Sequence, residues 1–226
     1  MQRQDVMQLW RLKVSKCLVN IICGAPHHHK QAIGYESETM INIGVDRGAL
    51  FALQQGLPLH HAVGDFDSLS EEELAYVQRN CEAVRVLSPQ KDETDTEVAI
   101  ELAKTYEPSA IHFYYALGGR LDHSFANINL LRQLVHQGFD AKLKSPSNEL
   151  MLLMPGTYEF THFNQPYISF FADVHVSNLC LKGFKYELAH YELKTTDIRC
   201  ISNEQLEEKM VVSFDEGQLM MINSAD

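Results

Sequence analysis

Short apolar runs alternate with stretches of helical periodicity through the first two-thirds of the chain. LVNIIC (18–23), MINIGV (40–45), HAVGD (61–65), AVRVL (83–87) and AIHFYYAL (110–117) read as buried strands. Between them lie four helical patterns. GALFALQQG is stopped by Gly56 and Pro58, and LSEEELAYVQRN follows a capping box of Ser68 and Glu71. TEVAIELAKTY follows a second capping box, Thr94 with Glu97, and repeats Val98, Ala99, Leu102 and Tyr106 at helical spacing. The fourth helix runs from about Asp122 to Gln137, with Ile128, Leu131 and Val135 along one face. Strand and helix in this alternation predict a mainly parallel, Rossmann-like three-layer α/β domain. From about Asn148 the texture changes to short alternating pieces separated by turn residues: ELMLLM, TYEFTH, YISFFA, LCLKGFKYEL, KMVVSF and QLMMIN. These predict a small all-β sandwich domain. Ser145-Pro146-Ser147 marks the boundary, giving domains 1–145, with 1–16 as an extension, and 146–226.

Charge narrows the partners. The 226-residue chain carries a net charge of −11, and both halves are acidic, so a general nucleic-acid platform is not expected. No apolar run approaches the roughly 20 residues that cross a bilayer. Met1 to Lys16 holds Arg3, Asp5, Arg11, Lys13 and Lys16 and lacks the apolar centre of a secretory signal. Five cysteines, an odd number without a CxxC pair, read as reduced and buried, which implies a cytoplasmic protein.

The candidate chemistry lies in the loops that leave the strands at their carboxyl ends, where open α/β sheets bind ligands. Asp65 and Asp67 follow the third strand in VGDFDS; in extended backbone such neighbours point to one side, and paired carboxylates call for a cation, with Mg²⁺ the natural fit for oxygen ligands. Asp92 and Asp95 follow the fourth strand, with Lys91 beside them as a point charge for phosphate. Gly118-Gly119-Arg120-Leu121-Asp122-His123 follows the fifth strand and opens a helix, where backbone N–H groups and a guanidinium suit an anion. Asp46 ends the second strand. Helix capping accounts for each aspartate taken singly. It does not account for DxD, DxxD and GGRxD at one sheet edge, whereas a shared anion-and-metal site does. His27-His28-His29 reads as a solvated loop.

VDRGA (45–49), VGDFDS (63–68), KDETDTEVAIELA (91–103), GGRLDHSFANINLL (118–131) and ISNE (201–204) give the chain a specific likeness: it resembles the thiamine pyrophosphokinases from about residue 17 to 224. The resemblance implies an α/β nucleotide-binding domain, then a β-sandwich domain, in a homodimer with active sites between subunits. It implies Mg²⁺-dependent transfer of the pyrophosphoryl group of ATP to the hydroxyl of thiamine, giving thiamine diphosphate and AMP. Under it Asp65, Asp67, Asp92 and Asp95 form the metal and catalytic cluster, with Arg120. The ATP-binding set is Asp46, Lys91, Thr94, Gly119, Arg120 and Asp122. Ser202 and Asn203, with Asp122, are the thiamine-binding set. The chain departs from the family at Asp46-Arg47-Gly48, where the family usually reads Asp-Gly-Gly; the animal members also place a tryptophan over the thiamine, and the only one here, Trp10, lies outside the matched region, so another residue covers the ring. Two other readings stand beside this one: a DxD-type Mg²⁺-dependent nucleotide-sugar transferase or phosphatase, and a non-catalytic nucleotide- or thiamine-binding module.

Overall fold

The computed structural model describes residues 17–25, 33, 39–88, 90 and 92–226. The 1–16 extension, Trp10, the histidine run and Lys91 lie outside the described residues. The chain divides into two compact units, 1–141 and 142–226.

The first unit is built on strands β1 (Cys17–Ile22), β2 (Thr39–Val45), β3 (Leu59–Gly64), β4 (Cys81–Val86) and β5 (Ala110–Tyr114). They pair in parallel in the order β4-β3-β2-β1-β5. Helices α1 (Arg47–Gln54), α2 (Glu71–Asn80), α3 (Asp95–Lys104) and α4 (Leu121–His136) connect them. Ile22, Ala62 and Tyr114 point to one face of the sheet and pack with Ala49, Leu50 and Ala52 of α1 and Val77 of α2. Helix α3 lies against β1, β2 and β3. Its buried stripe is Ala99, Ile100 and Ala103 rather than the expected Val98, Ala99, Leu102 and Tyr106; two alanines let the helix approach the sheet closely. In α4 the buried residues are Ser124, Leu130, Leu131 and Leu134, so Leu131 alone of the expected stripe is fully buried.

Two local expectations need correction. The capping box of α2 is Ser70 with Glu73, not Ser68 with Glu71. Both pairs fit the same spacing, but the Leu69 N–H donates to the Phe66 carbonyl and the Ser68 carbonyl accepts from Arg47, so the turn ends only at Ser70. Strand β5 stops at Tyr114 because Tyr115 takes a left-handed φ of 54°. The Thr94–Glu97 capping box forms as the sequence indicates.

A polar row crosses the sheet inside the apolar strands. Asn20 lies in register with Asn42 on one side and His112 on the other. Asn20 Nδ2 donates to Asn42 Oδ1 at 2.9 Å, Asn42 Nδ2 to the Pro58 carbonyl at 2.8 Å, and the Asn42 N–H to His60 Nδ1 at 3.1 Å. Asn20 and Asn42 are fully buried, so these bonds offset desolvation.

Strand β6 (Asp140–Lys144), which the sequence reading lacked, carries the chain across the division; from Lys142 it pairs antiparallel with β7 (Asn148–Leu153). The second unit adds β8 (Gly156–Phe160), β9 (Tyr167–Lys182), β10 (Leu188–Leu193), β11 (Met210–Phe214) and β12 (Glu216–Ser224), all antiparallel. YISFFA and the first part of LCLKGFKYEL belong to one long strand, β9, which ends at Gly183 (φ 77°). Its inward residues change parity along the way: Ile168, Phe170, Ala172 and Val176, then Leu179 and Leu181. Asn178, at φ 55°, absorbs the change, as a bulge does. The first half of β9 thus pairs with β12 and the second with β11 and β10, around a core that includes Phe170, Phe184 and Leu219. The architecture is the expected one, a parallel α/β unit followed by an antiparallel β unit. All five cysteines are thiols, with Cys17, Cys23 and Cys200 buried and Cys81 and Cys180 partly so.

Candidate active site

The carboxyl ends of β1, β2 and β5 and the starts of α1, α3 and α4 surround a cavity of about 730 Å³ in the first unit. Asp46, Asp67, Thr94, Asp95, Gly119 and Arg120 line it.

One oxygen each from Asp46, Asp65 and Asp95 lie within 4.8 Å of one another, and all three residues are half-buried. Asp46 reaches this position through a strained turn, at φ 48° and ψ −122°. Its Oδ1 accepts the Phe66 N–H at 3.3 Å, and its own N–H donates to the Val63 carbonyl. Gly48 makes the turn feasible: a Cβ there would stand 1.9 Å from the Ile22 carbonyl oxygen. Phe66 (φ 57°) and Tyr115 (φ 54°) are also left-handed, so three non-glycine residues in this region hold rare backbone around the cavity. Such conformations persist where surrounding structure over-determines them, and they gather at functional sites.

Phe66 also changes the DxD geometry. Its φ breaks the extended backbone that would place Asp65 and Asp67 side by side. Asp65 instead joins Asp46 and Asp95, while Asp67 stands exposed at the cavity wall and its N–H donates to Asp65 Oδ1 at 3.1 Å. Asp92 is exposed and outside the trio. Thr94 caps α3, its hydroxyl engaged with Glu97.

Burial and the negative charge of Asp95, with a shared hydrogen bond to Asp95 and the charge of Asp65, push the Asp46 carboxyl up to about 7. A cation among the three oxygens relieves that repulsion. The donor set is all carboxylate oxygen, which suits Mg²⁺ rather than a softer metal. Cys23 also lines the cavity but does not belong to the group of carboxylate oxygens. Burial pushes its thiol up to about 12, and it is hydrogen-bonded with Thr96.

On the other side of the cavity, Gly118 (φ 113°) and Gly119 (φ 65°) turn the chain into α4. The Gly118 N–H donates to Ser124 Oγ, and Asn127 Nδ2 holds the Ala116 carbonyl at 2.7 Å. Arg120 grips Asp122 with two parallel bonds, of 3.1 and 2.5 Å. This holds the Asp122 carboxyl below its usual range and the guanidinium above its own. Helices α1 and α4 have no side-chain cap at their N-termini, whereas α2 and α3 are closed by capping boxes. The starts of α1 and α4 both line the cavity and favour an anion.

In the second unit, Ser202 is exposed at φ 52°, and its N–H donates to Ser169 Oγ. Asn203 is buried, and its side chain is committed to backbone: Oδ1 accepts from Tyr186 and Glu204, and Nδ2 donates to the Tyr186 carbonyl. It lines a small cavity of about 60 Å³ with Tyr186 and Ile201. Sequence reasoning had no role for Cys23, Thr96, Tyr115 or Asn127. The GGRLDH run pointed to the region of Asn127; nothing in the chain marked Tyr115.

Fold and site together give a parallel α/β unit with an acidic cavity at its strand ends, followed by an antiparallel β unit. The profile described as "Thiamin pyrophosphokinase, catalytic domain" matches residues 34–143, and that described as "Thiamin pyrophosphokinase, vitamin B1 binding domain" matches residues 157–219. A thiamine pyrophosphokinase of Bacillus subtilis is 35% identical over 213 residues, covering 92% of this chain and 99% of its own. The crystal structure of a Bacillus subtilis thiamine pyrophosphokinase superposes with a TM-score of 0.84 at 32% identity, covering 92% of this chain and 99% of its own. That of an Enterococcus faecalis family member superposes with a TM-score of 0.83 at 33% identity, over 94% of this chain and all of its own. The chain belongs to the thiamine pyrophosphokinase family. These findings do not favour the sugar-transferase or binding-module readings.

Proposed function

We propose that the protein transfers the pyrophosphoryl group of ATP to the hydroxyl of thiamine, giving thiamine diphosphate and AMP. The observation that carries this reading is the cavity itself, lined by Asp46 and Asp95 of the carboxylate trio and by a Gly-Gly-Arg turn, with uncapped helix starts beside them. A polyphosphate needs both, because cations and N–H groups must neutralise charge that the acidic chain does not.

Asp46, Asp65 and Asp95 are the residues to hold Mg²⁺. When bound, the ion neutralises phosphate charge and polarises the phosphoryl group under attack. Arg120 stands at the cavity with Asp122 as its partner, and phosphate oxygens compete for the same two N–H groups. The starts of α1 and α4 and the Gly119 backbone orient the phosphates, and Thr94 anchors the start of α3; by family resemblance Lys91 serves the triphosphate and Asp92 the metal. In the reaction the thiamine oxygen bonds to the β-phosphorus. The bond from that phosphorus to the bridging oxygen breaks, and AMP leaves with the oxygen. Asp67, at the cavity wall outside the trio, accepts the hydroxyl proton late in the transfer. In the second unit Ser202 meets thiamine, beside the buried Asn203.

We further propose a homodimer that works in the cytoplasm. Leu121 and Phe125, one turn apart on α4, are exposed next to the cavity residues Arg120 and His123, which supports a subunit contact there. No helix of the described residues is long and apolar enough to cross a membrane. The test is product analysis on purified protein: AMP and thiamine diphosphate in equal amounts, formed only with both thiamine and Mg²⁺. ADP as the nucleotide product contradicts the proposal.

A further inference from the structure

The β3–α2 loop carries Asp65 and Asp67, and two neighbouring residues of the β2–α1 turn hold it. Asp46 Oδ1 accepts the Phe66 N–H at its near end. At its far end, Arg47 Nη2 donates to the Ser68 carbonyl and lies 3.5 Å from Glu73 Oε2. The same Glu73 oxygen accepts the Ser70 N–H at 2.9 Å, as half of the α2 capping box. Arg47 therefore links three features: the turn that presents Asp46, the last part of the aspartate loop, and the first turn of α2. Asp67 lies between the two points of attachment. Arg47 lines the cavity, and its Nη2 is the atom that meets the loop.

We propose that Arg47 is a positioning residue: it clamps the aspartate loop and so fixes Asp65 and Asp67 for metal and substrate. Its role toward the metal rests on the function proposed above; the clamp itself does not. A loop that is in place only part of the time weakens apparent affinity by the fraction in place. A guanidinium bridges a carbonyl and a carboxylate at once, whereas an ammonium satisfies them one at a time. Arg47→Lys is thus a partial replacement, and Arg47→Met keeps the aliphatic stem without the clamp. Glu73→Gln keeps the cap on Ser70 and removes the charge that faces Arg47.

The test uses the full chain. Amide hydrogen exchange is followed at Phe66, Leu69 and Ser70 in chelator for wild type, R47M, R47K, E73Q and the R47M/E73Q double variant. R47M is expected to speed exchange at these amides about three- to tenfold, with R47K between it and wild type. The double variant is expected to exceed R47M by much less than the E73Q effect, since the two residues act as one unit. Mn²⁺ binding, followed by the electron paramagnetic resonance of free Mn²⁺, is expected to weaken about three- to tenfold in R47M. Unchanged exchange in R47M, or strictly additive effects, overturns the clamp. Faster exchange with unchanged Mn²⁺ affinity overturns its role at the metal. Wild-type protein that binds no Mn²⁺ removes that role together with the carboxylate reading, and exchange then reports on the clamp alone.

Discussion

Replacing Asp46 by asparagine gives the most informative test of the carboxylate trio. Asparagine keeps an oxygen to accept the Phe66 N–H and nearly the same side-chain size. It removes the charge that faces Asp95 and Asp65. The Asp46 carboxyl, ordinarily near 3.8, is pushed up to about 7. A carboxyl whose folded-state pKa lies above its unfolded value penalises the folded state when ionised. The penalty is absent below 3.8, grows as pH rises, and is complete above about 7. At ~1.4 kcal/mol per tenfold change in proton affinity the ceiling is about 4 kcal/mol. Asp46 is only half-buried, and solvent screening lowers this to about 1–2 kcal/mol. Urea denaturation in chelator is the assay. D46N should be more stable than wild type by that amount near pH 8 and equal to it near pH 4. Adding Mg²⁺ near pH 8 should stabilise wild type and leave D46N little changed. An advantage of D46N that is absent near pH 8, or equal at both pH values, would refute the mutual repulsion on which the metal assignment rests.

Three other substitutions separate chemistry from fold. Asp95→Asn should reduce AMP formation at least about 100-fold while the thermal unfolding midpoint stays within a few degrees or rises; near-normal turnover removes Asp95 from the metal site. Gly48→Ala, which drives a methyl into the Ile22 carbonyl, should cost about 3 kcal/mol or more in denaturant unfolding; a small effect would mean the β2–α1 turn has room to shift. Asn42→Ala leaves the buried Asn20 Nδ2 without its partner inside the sheet, and should cost about 1–3 kcal/mol without altering the thiamine or ATP dependence of the rate; a change in those dependences would tie the polar row to the site.

The parallel sheet and its helices were legible because continuous apolar runs alternate with longer stretches of helical pattern, and Thr94 with Glu97 signals its helix start without competition. Ser68 and Ser70 both satisfy the S-x-x-E spacing, and the choice between them is tertiary: Arg47, distant in sequence, takes the Ser68 carbonyl. Nothing in LVNIIC or MINIGV marks their asparagines as partners; only the register brings them together. The site region was legible from aspartates at successive strand ends. Its internal geometry was not, because the DxD reading assumed extended backbone and Phe66 adopts φ 57°. The placement of Asp46 with Asp65 and Asp95 depends on that one dihedral and on the turn at Gly48, and neither leaves a periodic trace.

The direct test of the central claim is the fate of the β-phosphorus of ATP. Wild-type protein is supplied with ATP labelled with ³²P at the β-position, thiamine and Mg²⁺, and the products are separated. The account predicts that the label appears in thiamine diphosphate and that AMP forms unlabelled, in equal amount. Label retained in ADP, or released as inorganic diphosphate at a rate that ignores thiamine, would contradict it.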